Sequence, residues 1–276
     1  MASPQITWLF GPTSIIGWQL WQTRPELRAF CNPYVHGRTE LPWEPLLLED
    51  EAAISALLEV QVPDCIIHCG GICDVSQCEA NPAWAQQLNV DSVAGLLRIL
   101  PARVRLVYVS SDHVYGHSET PCHEDSPRRP LSVYGHSRVA AEDLVAKRPD
   151  SLIIRPGLPI GPSFNGRTGH MDWLRYRAKK GLPITIVEGE VRSAVSSRDL
   201  ATRILALADS AICGVRNIAA TQATTRPDLA RRLCQKLRID PPLQFETRAQ
   251  QPAPHLGRVE LATGFDDPLA AQLPAP

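Results

Sequence analysis

The sequence predicts an α/β fold: a doubly wound parallel Rossmann sheet with helices on both faces and a smaller C-terminal substrate lobe. Short apolar runs alternate with amphipathic helical segments over the first 160 residues, and a glycine-containing turn follows the first run. The 276 residues, 44% of them hydrophobic, suffice for one large domain with a smaller lobe. Strands and helices that alternate at these lengths imply right-handed crossovers and a parallel sheet.

The predicted core strands are short apolar runs that end at polar residues, glycine or proline. They cover residues 6–10, 28–35, 64–69, 105–110 and 151–155. Helices are predicted between them at residues 52–60, 81–100 and 134–147. Asn81 and Pro82 mark the start of the second helix, since asparagine caps a helix and proline suits its first position.

The alternation weakens after residue 161, where the clearest pieces are 184–187, 199–207 and 227–237. We therefore divide the chain into a dinucleotide-binding core, residues 1–160, and a smaller substrate-binding lobe, residues 161–276. A part of the lobe, about residues 195–220, is expected to return to the core because 199–207 has the pattern of a helix.

Composition and charge exclude several classes of protein. The 28 basic and 29 acidic residues nearly cancel, so no nucleic-acid partner is expected. No apolar run approaches the roughly 20 residues of a membrane span, and the first residues show no secretory signal. The eight cysteines are expected to be reduced thiols in the cytoplasm. Four residues of types that bind metals lie close in the sequence, but their spacing matches no common zinc pattern, so no metal is predicted: His68, Cys69, Cys73 and Cys78.

A glycine turn between the first strand and the first helix is the expected dinucleotide site. Its pattern is G-x-x-S-x-x-G, from Gly11 to Gly17. Gly11 is expected to form the tight turn and Gly17 to let the helix pack closely on the strand. Ser14 stands where a middle glycine is usual, so its side chain either crowds the pyrophosphate or donates to it. The remaining predicted cofactor contacts in this turn are Thr13, Ile15 and Ile16.

The residues about 20 positions beyond the turn bear on the choice of cofactor. An acid there favours NAD and an arginine favours NADP. The candidates are His36 and Arg38, and no acid lies between Cys31 and Thr39. NADP(H) is therefore favoured, and NAD(H) stays open.

Two further motifs follow the strand that ends near residue 110: Ser110-Ser-Asp-His-Val-Tyr-Gly116, and Tyr134-Gly-His-Ser-Arg138 at a helix start. With the glycine turn and His68-Cys-Gly-Gly71, they resemble the extended short-chain dehydrogenase/reductase family. Gln87-Leu-Asn-Val-Asp91, Arg155-Pro-Gly157 and Val195-Ser-Ser-Arg-Asp-Leu200 extend the resemblance. The chain is most similar to the dTDP-4-dehydrorhamnose reductase-like branch of sugar-nucleotide enzymes. That branch also includes the regulatory β subunit of methionine adenosyltransferase.

The resemblance implies the roles of the site residues. Tyr134 would be the acid/base, Ser111 the hydroxyl that orients the substrate, and Asn89 a helix-distorting residue of a proton relay. Arg138, one helical turn after Tyr134, would stabilise the phenolate. At about 4 Å and an effective dielectric near 20, that attraction is roughly 4 kcal/mol, or about three pKa units. Both Tyr134 and Arg138 would contact the cofactor. Two residues are expected beside the cofactor, Cys69 and Gly70, and three beside the substrate, Asp112, His113 and Leu158.

Arg138 departs from the family, which has lysine at this position. Arginine keeps the charge but is longer, planar and not deprotonable. Three functions therefore stay open: an NAD(P)H-dependent reductase of a keto group on a nucleotide sugar or related small substrate, a non-catalytic nucleotide-binding regulatory subunit, or an epimerase or dehydratase with tightly bound NAD. The basic segment 165–192 suits a diphosphate-bearing substrate. A homo-oligomer is also left open.

Overall fold

Strands and helices alternate along the computed structural model, which describes residues 5–37 and 40–276. The strands are β1 Thr7–Phe10, β2 Arg28–Cys31, β3 Glu44–Pro45, β4 Cys65–His68, β5 Arg105–Val109, β6 Leu152–Pro156, β7 Leu158–Ile160, β8 Ile184–Glu188, β9 Val191–Arg192, β10 Ala194–Ser196, β11 Gly214–Ile218, β12 Thr224–Thr225, β13 Leu243–Thr247 and β14 Arg258–Val259. The helices are α1 Ile15–Thr23, α2 Pro33–His36, α3 Glu51–Val60, α4 Val75–Ala80, α5 Pro82–Gln86, α6 Ser92–Ile99, α7 Val133–Val145, α8 Gly169–Lys179, α9 Ser197–Ala208 and α10 Arg226–Leu237. In the part of the chain described, none of these helices has the length and apolar character needed to cross a bilayer.

The main sheet has seven strands among the described residues, in the order β11-β6-β5-β4-β1-β2-β3. Every neighbouring pair in it is parallel. The predicted fold class, a doubly wound parallel sheet, is confirmed. The strand order reverses between β1 and β4, which opens a crevice at the carboxyl ends of these two strands. Such a crevice is where this class of sheet binds its ligands.

The sheet is covered on both faces. Leu9 of β1 packs with Leu20 of α1 and Ile204 of α9 on one face. Trp8, its neighbour, points to the other face and packs with Leu96 of α6. Burial on both faces explains why β1 is a continuous apolar run rather than an alternation of apolar and polar residues.

The C-terminal lobe has its own small core, in which Leu158 of β7 packs with Leu174 of α8 and Leu233 of α10. In this lobe β8 pairs in parallel with β13. The chain also returns to the main sheet, since α9 packs against α1 and β11 extends the sheet beside β6. The lobe and the core are therefore interleaved in sequence.

Two predicted elements differ from those observed. The strand expected at 28–35 ends at Cys31, because the Asn32 side chain accepts a hydrogen bond from the Tyr34 backbone and caps α2. The helix expected at 81–100 is interrupted by a π-helical turn, Gln87–Asp91, between α5 and α6.

Candidate active site

The glycine turn lies between β1 and α1, directly beside the end of β4. Gly11 has φ +79°, and a Cβ atom built there would lie 2.7 Å from the backbone of Cys69. At Gly17 a Cβ atom would lie 2.2 Å from the Gly11 carbonyl oxygen. Only glycine fits either position without a shift of the backbone, as the sequence pattern predicts for the tight turn and the close helix.

Ser14 is the N-cap of α1. Its hydroxyl accepts from the Gly17 backbone N–H at 2.9 Å and donates to the Gly11 carbonyl at 3.0 Å. Because the turn itself uses the Ser14 proton, that hydroxyl does not offer it to a pyrophosphate here. The backbone N–H groups of Ile15 and Ile16, at the start of α1, have no intrahelical acceptors and suit an anion.

The predicted cofactor-selecting residues follow β2 in the sequence. His36 is the last residue of α2 and is partly buried. Arg38 lies outside the described residues. The residues from Asn32 to Gly37 include no carboxylate, so the described part of this edge lacks the acid that would bind a ribose 2′-hydroxyl.

The loop after β4 lies between the glycine turn and α7. The Cys69 backbone N–H donates to the Phe10 carbonyl at 2.8 Å, and burial raises the pKa of the Cys69 thiol to about 12. Gly71 has φ +104°, and a Cβ atom there would lie 2.3 Å from Asn89 Oδ1 and 3.3 Å from Arg138 Nη2. This loop therefore brings the predicted cofactor residues next to the predicted catalytic ones.

Ser111, Tyr134 and Arg138 come together at the carboxyl end of β5. Ser111 lies close enough to the Tyr134 hydroxyl to lower the pKa of that phenol. The Arg138 Cζ atom lies 5.2 Å from the centroid of the Tyr134 ring. All three side chains are buried, with Tyr134 6% and Arg138 4% exposed. The i,i+4 spacing thus places the cation on the face of α7 that carries the phenol.

The pKa of Tyr134 differs from the expectation of a lowered value. Burial raises it above its ordinary value, while the Arg138 charge and the Ser111 hydroxyl act in the opposite direction. The loss of hydration destabilises the phenolate by more than the charge of the Arg138 guanidinium stabilises it.

Arg138 is directed towards a second phenol. Its Nη1 donates to the Tyr108 hydroxyl at 2.8 Å, and its Cζ lies 5.8 Å from the Tyr108 ring centroid. The Arg138 Nε is buried and has no hydrogen-bond partner among the described residues. The predictions had not singled out Tyr108. The one available signal was a tyrosine hydroxyl within an otherwise apolar strand, which needs a buried partner.

Asn89 lies in the π-helical turn, in keeping with the helix distortion that the resemblance implies. Its Oδ1 accepts from the Ile72 backbone N–H at 2.8 Å. Its Nδ2 donates to the Ile72 carbonyl at 3.0 Å and to Ser137 Oγ at 2.9 Å. These bonds fix the loop after β4 against α7. The relay role of Asn89 stays a prediction.

Asp112 and His113 follow Ser111, but only His113 faces Tyr134. Both carboxylate oxygens of Asp112 accept from Arg192 of β9, at 2.8 and 2.6 Å. Asp112 therefore forms an ion pair with Arg192 through both carboxylate oxygens and is not available to bind a substrate. The His113 ring lies edge-on to Tyr134, with 5.1 Å between the centroids. Burial lowers the pKa of His113 to about 4, so the imidazole is neutral at neutral pH.

Leu158 is part of the apolar core of the lobe, and its contact with a substrate stays a prediction. The four residues considered as metal ligands, all within the described part of the chain, form no metal site. His68 lies between the rings of Phe10 and Tyr108, with centroid distances of 5.9 and 5.6 Å. Over residues 5–37 and 40–276, no three His, Cys, Asp or Glu side chains are grouped as a metal site requires.

A charged network joins the site to the lobe and was not predicted. Arg192 Nη1 also donates to Glu190 at 2.8 Å, and Glu190 lies 3.2 Å from His255 Nδ1 and 3.8 Å from Arg226. Sequence spacing gave no signal for these pairs beyond the basic character of segment 165–192.

Comparison with known proteins gives a family match and several relatives. Residues 7–259 match the family described as RmlD substrate binding domain. Methionine adenosyltransferase 2 subunit beta of Xenopus laevis is 30% identical over 52% of this chain and 43% of its own length. A probable dTDP-4,6-dihydroxy-2-methyloxan-3-one 4-ketoreductase of Streptomyces antibioticus is 28% identical over 69% of this chain and 65% of its own. The chain thus spans less than two thirds of the length of these curated relatives.

Solved structures share the fold. The dTDP-4-dehydrorhamnose reductase of Bacillus anthracis, in complex with NADP, superposes with a TM-score of 0.80. The alignment covers 99% of this chain and 96% of that one at 19% sequence identity. At this identity the likeness shows the fold alone.

Proposed function

The chain belongs to the RmlD substrate binding domain family, and on that premise we propose that it is a reductase. Its substrate would be a keto group on a nucleotide sugar or related small molecule, with a nicotinamide dinucleotide as reductant. One observation carries the proposal: Tyr134 lies beside Ser111 and is flanked by Arg138, next to a glycine turn suited to a pyrophosphate.

The residues of the site divide the chemistry of a ketone reduction between them. A bound dinucleotide supplies the hydride that the carbonyl carbon accepts. Tyr134 gives its phenolic proton to the carbonyl oxygen as negative charge develops there, and the product is an alcohol. Ser111 donates a hydrogen bond that orients the same oxygen. Arg138 stabilises the phenolate that remains on Tyr134, which matters because burial disfavours that anion.

We propose NADP(H) as the preferred cofactor, with NAD(H) as the alternative. The support is the missing carboxylate between Asn32 and Gly37 together with Arg38 in the following residues. A structural neighbour, the reductase of Bacillus anthracis, was solved with NADP.

A nucleotide sugar is the proposed class of substrate. The Streptomyces antibioticus relative is by name a probable ketoreductase of a dTDP-linked compound. In the lobe, α8 and the loop before it carry basic side chains that suit a diphosphate: Arg167, Arg175, Arg177, Lys179 and Lys180.

A non-catalytic regulatory subunit is the second candidate, and one observation favours it. The Arg138 guanidinium bonds to Tyr108 within the protein, whereas the lysine of the family would contact the nicotinamide ribose. The Xenopus laevis relative is by name such a subunit. An epimerase or dehydratase with tightly held NAD would need the same residues and would retain its cofactor through purification.

Absorbance at 340 nm, together with dinucleotide binding, distinguishes the three candidate functions. Purified protein is mixed with NADPH or NADH and a panel of 4-keto nucleotide sugars, and dinucleotide binding is measured in parallel by fluorescence. Turnover with at least one ketone supports the reductase. Tight dinucleotide binding without turnover of any ketone contradicts it. Protein that is purified free of dinucleotide then supports the regulatory subunit, and NAD retained through purification supports the epimerase or dehydratase.

A further inference from the structure

We propose that Tyr108 is a positioning residue for the reduction: its hydroxyl holds the Arg138 guanidinium beside Tyr134, so that a Tyr–Arg pair performs the task of a single lysine. This inference rests on the proposed function and deepens it. It assigns Tyr108, on β5, no contact with substrate or cofactor.

The geometry places one cation between two phenols. Arg138 lies on α7, and Tyr108 lies on the neighbouring strand, fully buried. The guanidinium Cζ is 5.2 Å from the Tyr134 ring centroid and 5.8 Å from that of Tyr108. The 2.8 Å hydrogen bond from Nη1 to the Tyr108 hydroxyl is the one directed polar contact of the guanidinium among the described residues.

A longer side chain needs such an anchor. The arginine side chain is longer than that of lysine, and its planar guanidinium forms hydrogen bonds only in a fixed orientation. Arg138 is 4% exposed, and its Nε has no partner. If the Tyr108 hydroxyl were lost, a second donor of a buried cation would lose its partner, which is costly. The guanidinium would then turn towards water and away from Tyr134.

Other titratable groups face this pair, and near neutral pH each of them is either uncharged or already paired. Burial lowers the pKa values of His68 and His113 to about 4, so both rings are neutral. Glu142 acts on Tyr108 from α7 but is bonded to Arg155 through both oxygens. The remaining groups are the thiols of Cys69, Cys73 and Cys78. Arg138 is therefore the main charge that acts on Tyr134.

The chain contains a matched control pair. Tyr115 is also buried, its hydroxyl accepts from Arg155 Nη1 at 2.8 Å, and the Arg155 Cζ lies 5.2 Å from its ring centroid. That pair includes neither Tyr134 nor Arg138, and the Tyr115 hydroxyl also donates to the His123 carbonyl and to Asn217 Oδ1. Tyr115→Phe therefore removes the same hydroxyl from the same kind of pair and reports the purely structural cost.

The test is a double-mutant cycle with Tyr108→Phe, Arg138→Lys and both together, read out by the pH dependence of kcat. Tyr108→Phe should raise the kinetic pKa of the acid by about one unit and lower kcat about tenfold near neutral pH. In the Arg138→Lys background the same change should have less than about a twofold effect, because the ammonium does not reach Tyr108. Tyr115→Phe should leave the kinetic pKa unchanged.

A second readout does not depend on turnover. With tyrosine labelled by ¹³C at Cζ, the Tyr134 resonance is assigned from Tyr134→Phe and followed at one pH. Tyr108→Phe should move this resonance in the wild-type background and not in Arg138→Lys. Effects that add independently, or an equal change in Tyr115→Phe, would overturn the positioning role. If the wild type shows no turnover while the resonance moves as expected, the proposed function fails and the Tyr108–Arg138 anchor stands.

Discussion

Arg192 and Asp112 form a bidentate ion pair, with donor–acceptor distances of 2.8 and 2.6 Å, that ties the C-terminal lobe to the turn carrying Ser111. Asp112 directly follows Ser111, and the Ser111 hydroxyl donates to Asp112 Oδ1 at 3.3 Å. The orientation of the proposed substrate-binding hydroxyl therefore depends on a residue of the lobe.

Arg192→Ala should destabilise the protein strongly. Both partners are buried, and removal of one side of a buried pair costs about 3–5 kcal/mol because the other charge is left unpaired. Urea denaturation measures the change. Arg231→Ala is the control, since the Arg231–Asp228 pair is more than half exposed. If Arg192→Ala lost no more unfolding free energy than this control, the Arg192–Asp112 pair would contribute little to stability.

The Glu190 carboxylate should make stability depend on acid pH. Burial raises its pKa, but the His255 hydrogen bond and the charges of Arg192 and Arg226 outweigh burial and hold the pKa well below its ordinary range. A depressed pKa in the folded state contributes stability above the unfolded value, about 4.3, which is lost as pH falls below it. Between pH 5 and pH 3 the wild type should therefore lose more unfolding free energy than Glu190→Gln. Equal losses in both proteins would contradict this assignment.

Gly11→Ala should weaken dinucleotide binding. Position 11 has φ +79°, and the new Cβ would press on the Cys69 backbone at 2.7 Å. Gly166→Ala is the matched control, since its φ is +65° with no atom within 4 Å of the new Cβ. We expect the affinity for NADPH to fall at least about tenfold in Gly11→Ala only, since a shift of the turn moves the N–H groups that bind the phosphates. Fluorescence titration measures it, and equal affinities in the two variants would argue against a phosphate site at this turn.

Arg38→Ala should alter cofactor preference. If Arg38 binds the 2′-phosphate, its loss lowers the affinity for NADPH about tenfold and leaves the affinity for NADH unchanged. Titration of both dinucleotides checks this, with His36→Ala as the comparison. An equal fall in the affinities for NADPH and NADH would show that Arg38 does not bind the 2′-phosphate.

The sequence predicted those features that depend on local pattern. The strand and helix order, the two turn glycines and the i,i+4 placement of Tyr134 and Arg138 all follow from periodicity and backbone sterics. The partners of buried charges did not follow, because Arg192 and Asp112 meet across the two parts of the fold and no local rule links them. The hydrogen bond from Arg138 to Tyr108 likewise depends on how β5 sits against α7.

Tyr134 is the proposed proton donor, and a comparison of Tyr134→Phe with the wild type tests this role most directly. NADPH oxidation is followed at 340 nm with a 4-keto nucleotide sugar that the wild type reduces, and the Kd of NADPH is measured in both proteins. If Tyr134 donates the proton, kcat should be about 10² to 10⁴ times lower in Tyr134→Phe with an unchanged Kd. A kcat within about twofold of the wild type would contradict it, because the proton would then come from another group.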